Sequence, residues 1–191
     1  MERTGKTKMT REKINVFDYA KEITASLRKG ALLNTNGDKF NSMVIGWGHL
    51  GVIWGKETFA VYVRENRYTK AQLDKTGEFS LNIPLGKADP GIARICGSQS
   101  GHNIDKAKEA GLTLIPAETI DTPVIESKAY PLVLECRVLY QQKQDISLLP
   151  ENMQKAMYPQ DVDGTCPMAN RDAHTAYIGE IVSAYILKDE A

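Results

Sequence analysis

Residues 31–48 read ALLNTNGDKFNSMVIGWG. Ala31 to Thr35 and Phe40 to Ile45 flank Asn36-Gly37-Asp38, and Asn-Gly supplies the turn conformations that a tight hairpin needs, so the spacing predicts two antiparallel strands. The second strand runs into Gly46, Trp47 and Gly48, where small residues expose backbone beside a large aromatic. A flat ring with hydrogen-bonding edges asks for such a surface: N–H and C=O groups along its edge, apolar side chains against its face. The same letters also serve an ordinary hairpin with a tight turn. From Gly46 to Lys56, four glycines and both tryptophans, Trp47 and Trp54, read as neither a clean strand nor a clean helix.

Outward from this hairpin the elements stay short. On the N-terminal side, Asp18 to Lys29 spaces Tyr19, Ala20, Ile23 and Leu27 for one face of a helix that Gly30 ends. On the C-terminal side, Thr58 to Arg64 (TFAVYVR) is a strand by its β-branched and aromatic content. Thr69 is placed as the N-cap of a helix through Lys75, Gly77 closes it, and Glu78 to Ile83 is a strand stopped by Pro84. Asp89 to Cys96 and Asn103 to Ala110 read as short helices around a Gly-Ser loop, with a brief strand at Thr113 to Ile115. Ala129 to Lys143 is a long strand with Leu132, Leu134, Cys136, Val138 and Tyr140 on one face and Glu135 and Arg137 on the other. Glu151 to Met157 is helical, Asp161 to Asp172 a loop, and His174 to Leu187 a final long strand bent at Gly179. Strands without a βαβ rhythm, repeats or a linker describe one domain, an antiparallel barrel with helical excursions.

The composition agrees. The chain of 191 residues has 24 Lys+Arg against 24 Asp+Glu, 42% hydrophobic residues and a pI near 6.8. That composition excludes a disordered or collagen-like chain. The balanced charge favours neither nucleic acid nor an anionic membrane, so an anion must be held by a local site. No apolar run approaches the roughly 20 residues of a membrane span, and the basic residues from Arg3 to Lys13 precede no apolar run of a secretory signal. Cys96, Cys136 and Cys166 form no CxxC pair, which points to reduced thiols and a cytoplasmic protein. Cys166, Asp172 and His174 match no zinc spacing, no metal is expected, and Asp161 and Asp163 read as solvated surface.

Two further stretches bear chemistry. In Arg64-Glu65-Asn66-Arg67-Tyr68-Thr69, two arginines at a strand end meet a helix N-terminus, a combination suited to phosphate, though taken alone it reads first as a surface arginine pair with an ordinary N-cap. In Cys96-Gly97-Ser98-Gln99-Ser100-Gly101, hydroxyls and exposed amides could meet phosphate oxygens or form a simple loop. It is neither a P-loop nor GxGxxG.

Five motifs, in this order, resemble the flavin reductase-like (flavoredoxin, FMN-binding split-barrel) family: N-x-M-x-I-G-W-G at Asn41 to Gly48, V-x-V-R-x-x-R-Y-T at Val61 to Thr69, E-F-S-L-N-I at Glu78 to Ile83, C-G-x-x-S-G at Cys96 to Gly101 followed by Asp105-Lys106, and H-x-x-x-x-G-E at His174 to Glu180. The resemblance implies a mainly β, Greek-key split β-barrel with added helices over residues 15–191 after an extension of residues 1–14, usually as a homodimer. It implies FMN as cofactor, with electrons passing from NAD(P)H to flavin or a downstream acceptor. The alternative within the family is a flavoredoxin-like carrier reduced by a partner protein. By position, Met43, Val44, Ile45, Gly46, Trp47 and Gly48 would line the isoalloxazine. Arg64, Arg67, Tyr68 and Thr69 would hold the phosphate end, Asn82 would face the ribityl chain, and Ser98, Ser100 and Lys106 would complete the phosphate pocket. His174 would sit on the nicotinamide side as the catalytic residue. His102 stands where the family often has Arg or Lys. Hydride transfer to a flavin asks the protein to stack, align and exclude water rather than to supply a strong acid or base.

Overall fold

The computed structural model describes residues 9–163 and 171–190, and Cys166 lies outside them. In chain order the elements are β1 (Met9–Lys13), α1 (Ala20–Ser26), β2 (Ala31–Asn36), β3 (Phe40–Ile45), β4 (Gly48–Ile53), β5 (Lys56–Arg64), α2 (Tyr68–Thr76), β6 (Glu78–Ile83), α3 (Pro90–Ser98), α4 (Lys106–Glu109), β7 (Leu114–Ile115), β8 (Val124–Ile125), β9 (Leu132–Lys143), α5 (Glu151–Met157) and β10 (His174–Asp189). The main sheet runs β3-β2-β6-β9-β10-β5-β4, entirely antiparallel, with β1 added to the far half of β10. The strands at its two ends, β3 and β4, are consecutive in the chain. Ile45 and Gly48 can be at most about 11 Å apart across Gly46-Trp47, so the sheet must curl until its ends nearly meet. The result is a split barrel with its seam at Gly46-Trp47.

Two deviations let the longest strand wrap. The pairing of β10 with β9 shifts register between Ile178 and Gly179 and again between Ile181 and Ser183. At Gly179 a Cβ would lie 2.8 Å from the Phe79 ring, so only glycine lets the bent strand pass so close to that core aromatic. The interior is filled by Phe59, Phe79, Leu81, Leu134 and Tyr177, all essentially without solvent exposure.

The structure departs from the sequence reading at three places. The Gly46–Lys56 stretch holds a regular strand, β4, paired with β5, and Gly48 packs so closely that a Cβ there would meet the Ala60 carbonyl at 2.7 Å. Residues 9–13, read as extension, form β1. Thr69 is not the N-cap of α2. Arg67 holds that position in extended conformation, and Thr69, two residues further on in the first turn, accepts a hydrogen bond from Asn41 Nδ2 at 2.8 Å. Glu135, on the polar side of the alternating strand, is fully buried. Its carboxylate accepts from the backbone N–H of Glu118 and Thr119 and from the hydroxyls of Thr119 and Tyr185. Four donors offset the desolvation of one charge.

Candidate functional site

The seam positions two adjoining cavities. The smaller, about 110 Å³, lies between β3, the N-terminus of α2 and the loop after α3; Asn41, Arg67, Tyr68, Thr69, Ser100 and Lys106 line it. The wider, about 240 Å³, is bounded by Ile45, Gly46, Trp47, Tyr62, Arg64 and His174. Met43, Val44 and Arg67 line both, so the two form one elongated cleft, polar and cationic at one end and flat-walled at the other.

At the polar end Lys106 is buried, and its ammonium donates to the carbonyls of Ser42 at 2.8 Å and Cys96 at 2.9 Å. An ammonium has three hydrogens, so one remains for a ligand. Burial lowers its pKa below the usual lysine value, and the Arg67 charge adds to that lowering. An arriving anion relieves both effects. Asn41 is buried on the same wall; its Nδ2 is bonded to Thr69, while its Oδ1 has no hydrogen-bond partner and packs against Gly101. Gly101 closes the wall. A Cβ there would fall 2.2 Å from Asn41 Oδ1 and 2.7 Å from Tyr68 Cδ1, so no other residue fits. His102, in the position that is often basic, packs edge-on against Tyr68 with centroids 4.6 Å apart.

At the flat end His174 opens β10 in register with Arg64, the last residue of β5. Its ring lies 4.5 Å from the Trp47 ring, tilted by 35°, and its Nδ1 is 2.8 Å from the Tyr158 hydroxyl. Burial first, then the positive charges of Arg64 and Arg67 against the opposing Asp172, push the His174 pKa down to about 4. The imidazole is neutral at pH 7. Arg64 is buried and donates to the Asp172 carbonyl at 2.7 Å, while Asn66 N–H donates to the Asp172 carboxylate at 2.6 Å.

Residues 37–191 match the model of the flavin reductase like domain. The chain belongs to the flavin reductase-like family. Solved structures agree in fold. The flavoredoxin of Desulfovibrio vulgaris (Miyazaki F) is 23% identical with a TM-score of 0.59, over 82% of this chain and 68% of that one. An FMN-binding domain of a flavin reductase-like enzyme from Shewanella baltica OS155 is 14% identical, TM-score 0.63, over 95% and 79%. An NADH:FAD oxidoreductase of Streptomyces globisporus is 13% identical, TM-score 0.59, over 83% and 75%. No curated protein sequence matches.

Within this flavin reductase-like chain the cleft gathers Met43, Val44, Ile45, Gly46, Trp47, Arg64, Arg67, Tyr68, Thr69, Ser100, Lys106 and His174. Three of the expected residues are not on it. Gly48 begins β4 and faces β5. The Ser98 hydroxyl turns back to the Arg94 carbonyl at 2.6 Å within α3. Asn82 lies inside the protein: its Oδ1 accepts from Asn34 and from Ile125 N–H, and its Nδ2 donates to the carbonyls of Ile125 and Tyr130. Its carboxamide is spent on pinning β2, β6 and β8 together. Arg64, expected at the phosphate end, lines the wider cavity beside His174, because the register sets the two side by side.

The motifs contain Asn41 and Gly101 without assigning either a place in the site, and they assign none to Tyr62, Tyr158 or Asp172. Alternation with Arg64 along β5 could have pointed to Tyr62. Tyr158 and Asp172 come from segments with no periodic signal. Among the described residues no three His, Cys, Asp or Glu side chains gather as a metal site, and no helix is long and apolar enough to cross a membrane.

Proposed function

We propose that this chain binds FMN along the cleft, phosphate toward Lys106 and Arg67 and ring against Trp47, and passes electrons from NAD(P)H through it to a flavin or another acceptor. The observation that carries this reading is the shape and charge of the cleft: a cationic polar cavity joined, through Met43, Val44 and Arg67, to a wider flat-walled one. A phosphate tethered to a planar ring has that outline. Met43, Val44 and Arg67, which line both cavities, would flank the chain that joins ring to phosphate.

When bound, FMN supplies the ring that accepts hydride and gives up electrons. The chain's own residues hold and shield. Lys106 and Arg67 neutralise the phosphate, the Thr69 and Ser100 hydroxyls border it, and the Gly46-Trp47 seam lets backbone approach the ring edge. His174, neutral at pH 7, offers a hydrogen-bonding edge without adding charge beside the nicotinamide. A homodimer and a cytoplasmic location belong to this reading. Val52, Trp54, Leu139 and Tyr140 are exposed, with Trp54 against Tyr140, and give the outer barrel wall an apolar surface suited to a second copy.

An absorbance spectrum of the protein titrated with FMN, then treated anaerobically with NADH or NADPH, tests the proposal. Bound flavin bleached by one nicotinamide supports it. Bound flavin that stays oxidised until a partner protein is added selects the flavoredoxin-like carrier instead, and no flavin uptake overturns the site. With FMN bound, His174→Ala slows bleaching and leaves flavin affinity nearly unchanged; equal loss of both assigns the histidine a structural part only.

A further inference from the structure

Beside the cleft lies a third cavity of about 360 Å³, walled by Trp47, Tyr62, Leu149, Met153 and Met157, with Tyr158 and Gln144 at one end. Trp47 and Tyr62 also wall the wider part of the cleft, so an occupant of this chamber lies one aromatic side chain away from a ring in the cleft. We infer that this chamber seats an uncharged, planar, conjugated electron acceptor of the quinone class, held by α5 on one side and Trp47 on the other. The inference rests on the flavin reading of the cleft and adds the acceptor's chemistry and place.

Four features select that class. None of the lining residues carries a charge, which disfavours an ionic occupant by its desolvation cost. Met153 and Met157 are four residues apart on α5, so they project from one face, and their thioethers adapt to aromatic rings of varied outline. Both are more than one-third exposed and line the chamber, so their thioethers are accessible to an occupant. The polar end offers few donors: the Tyr158 hydroxyl is bonded to Gln144 Oε1 at 3.0 Å, which leaves the Gln144 amide hydrogens as donors for a carbonyl oxygen. The volume lies near the lower end of the range for small-molecule sites, enough for one or two fused rings. In the overall conversion the quinone gains two electrons and two protons, one hydride from NAD(P)H and one proton from solvent, and leaves as hydroquinone with NAD(P)+.

The test uses the full chain carrying ¹³C-methyl methionine, loaded with oxidised FMN, and 2,3-dimethyl-1,4-naphthoquinone, whose blocked ring carbons cannot arylate thiols. No reductant is present, so binding is read without turnover. Met43 in the cleft reports FMN, whereas Met153 and Met157 report the chamber. The expected result is a saturable shift of the Met153 and Met157 methyl signals on adding the quinone, with Met9, distant on β1, unmoved. Met157→Glu should weaken the quinone by about tenfold or more because a carboxylate then faces the ring, and Met157→Leu should retain affinity within about threefold. Absence of the shift, a shift caused by NAD+ and not by the quinone, or unchanged affinity in Met157→Glu overturns the inference. If Met43 ignores FMN while Met153 and Met157 still follow the quinone, the flavin reading falls and the chamber stands.

Discussion

The Trp47 and His174 rings lie 4.5 Å apart at a tilt of 35°, and this one contact ties the barrel seam to the first residue of β10. Trp47 is where the two end strands of the sheet meet, and His174 is paired through Arg64 to the strand beside them. A ring entering the cleft therefore meets a wall assembled from opposite ends of the sequence.

The same contact buries the imidazole and predicts an acid-sensitive fold. His174 has its pKa pushed down to about 4, first by burial and then by Arg64. Its unfolded value is near 6.5. Above about pH 6.5 both states are neutral there and the group is without effect on stability. As pH falls from about 6.5 to 4 the unfolded state takes up a proton that the folded state refuses, so stability declines. The loss approaches about 3 kcal/mol at pH 4 in flavin-free protein. Denaturant melts of wild type and His174→Gln between pH 7 and pH 4 check this: the variant should lose distinctly less, and parallel curves would place the acid sensitivity elsewhere.

At the other end of the cleft, the placement of Lys106 and Arg67 predicts discrimination by the phosphate rather than by the ring. Lys106→Met and Arg67→Ala should each weaken FMN by about 1.5 to 3 kcal/mol, the worth of a charge-assisted hydrogen bond. Riboflavin, which lacks the phosphate, should bind wild type and both variants alike. Parallel titrations by flavin fluorescence decide the matter; an equal loss for both ligands would move these cations to the ring end.

What could be read in advance divides along physical lines. The β2–β3 hairpin, α2 with Gly77 beyond its end, and the bend at Gly179 follow from local rules of turn chemistry and spacing, and the structure has all three. Cavity membership is a matter of register and long-range pairing, which no window of sequence contains. Arg64 is drawn to His174 by strand pairing across 110 residues of chain, and Tyr158 reaches His174 from the end of a helix whose own sequence gives no hint of the partner. Glu135 was legible as a charge on an alternating strand, but its four donors come from other segments.

Asn82 illustrates the same point and yields a prediction of its own. With its carboxamide engaged by Asn34, Ile125 and Tyr130 in the interior, it serves the fold rather than the ligand. Asn82→Ala strands several buried partners at about 1 to 3 kcal/mol each. Thermal melts should show a clear drop in Tm, while FMN affinity of the folded fraction stays within about twofold, since no cleft contact is removed. A large loss of FMN affinity with an unchanged Tm would return Asn82 to the ribityl chain.

The hydrogen-bond chain behind His174 fixes which nitrogen faces the cleft. Tyr158 has a single hydroxyl hydrogen, and it points to Gln144 Oε1 at 3.0 Å. The remaining contact, 2.8 Å from the Tyr158 oxygen to His174 Nδ1, is then satisfied only when Nδ1 carries the imidazole proton. Because the ring is neutral at pH 7, Nε2 is left as an acceptor. Nitrogen-15 NMR of the imidazole at pH 7 should therefore show the Nδ1–H tautomer in wild type and a mixture in Tyr158→Phe, which removes about 1 kcal/mol of hydrogen bonding. Gln144→Ala keeps the tyrosine but frees its hydrogen to turn toward Nδ1, and should drive the ring to the opposite, Nε2–H form. A tautomer that ignores both substitutions would mean that Arg64 and Asp172, rather than Tyr158, orient the histidine.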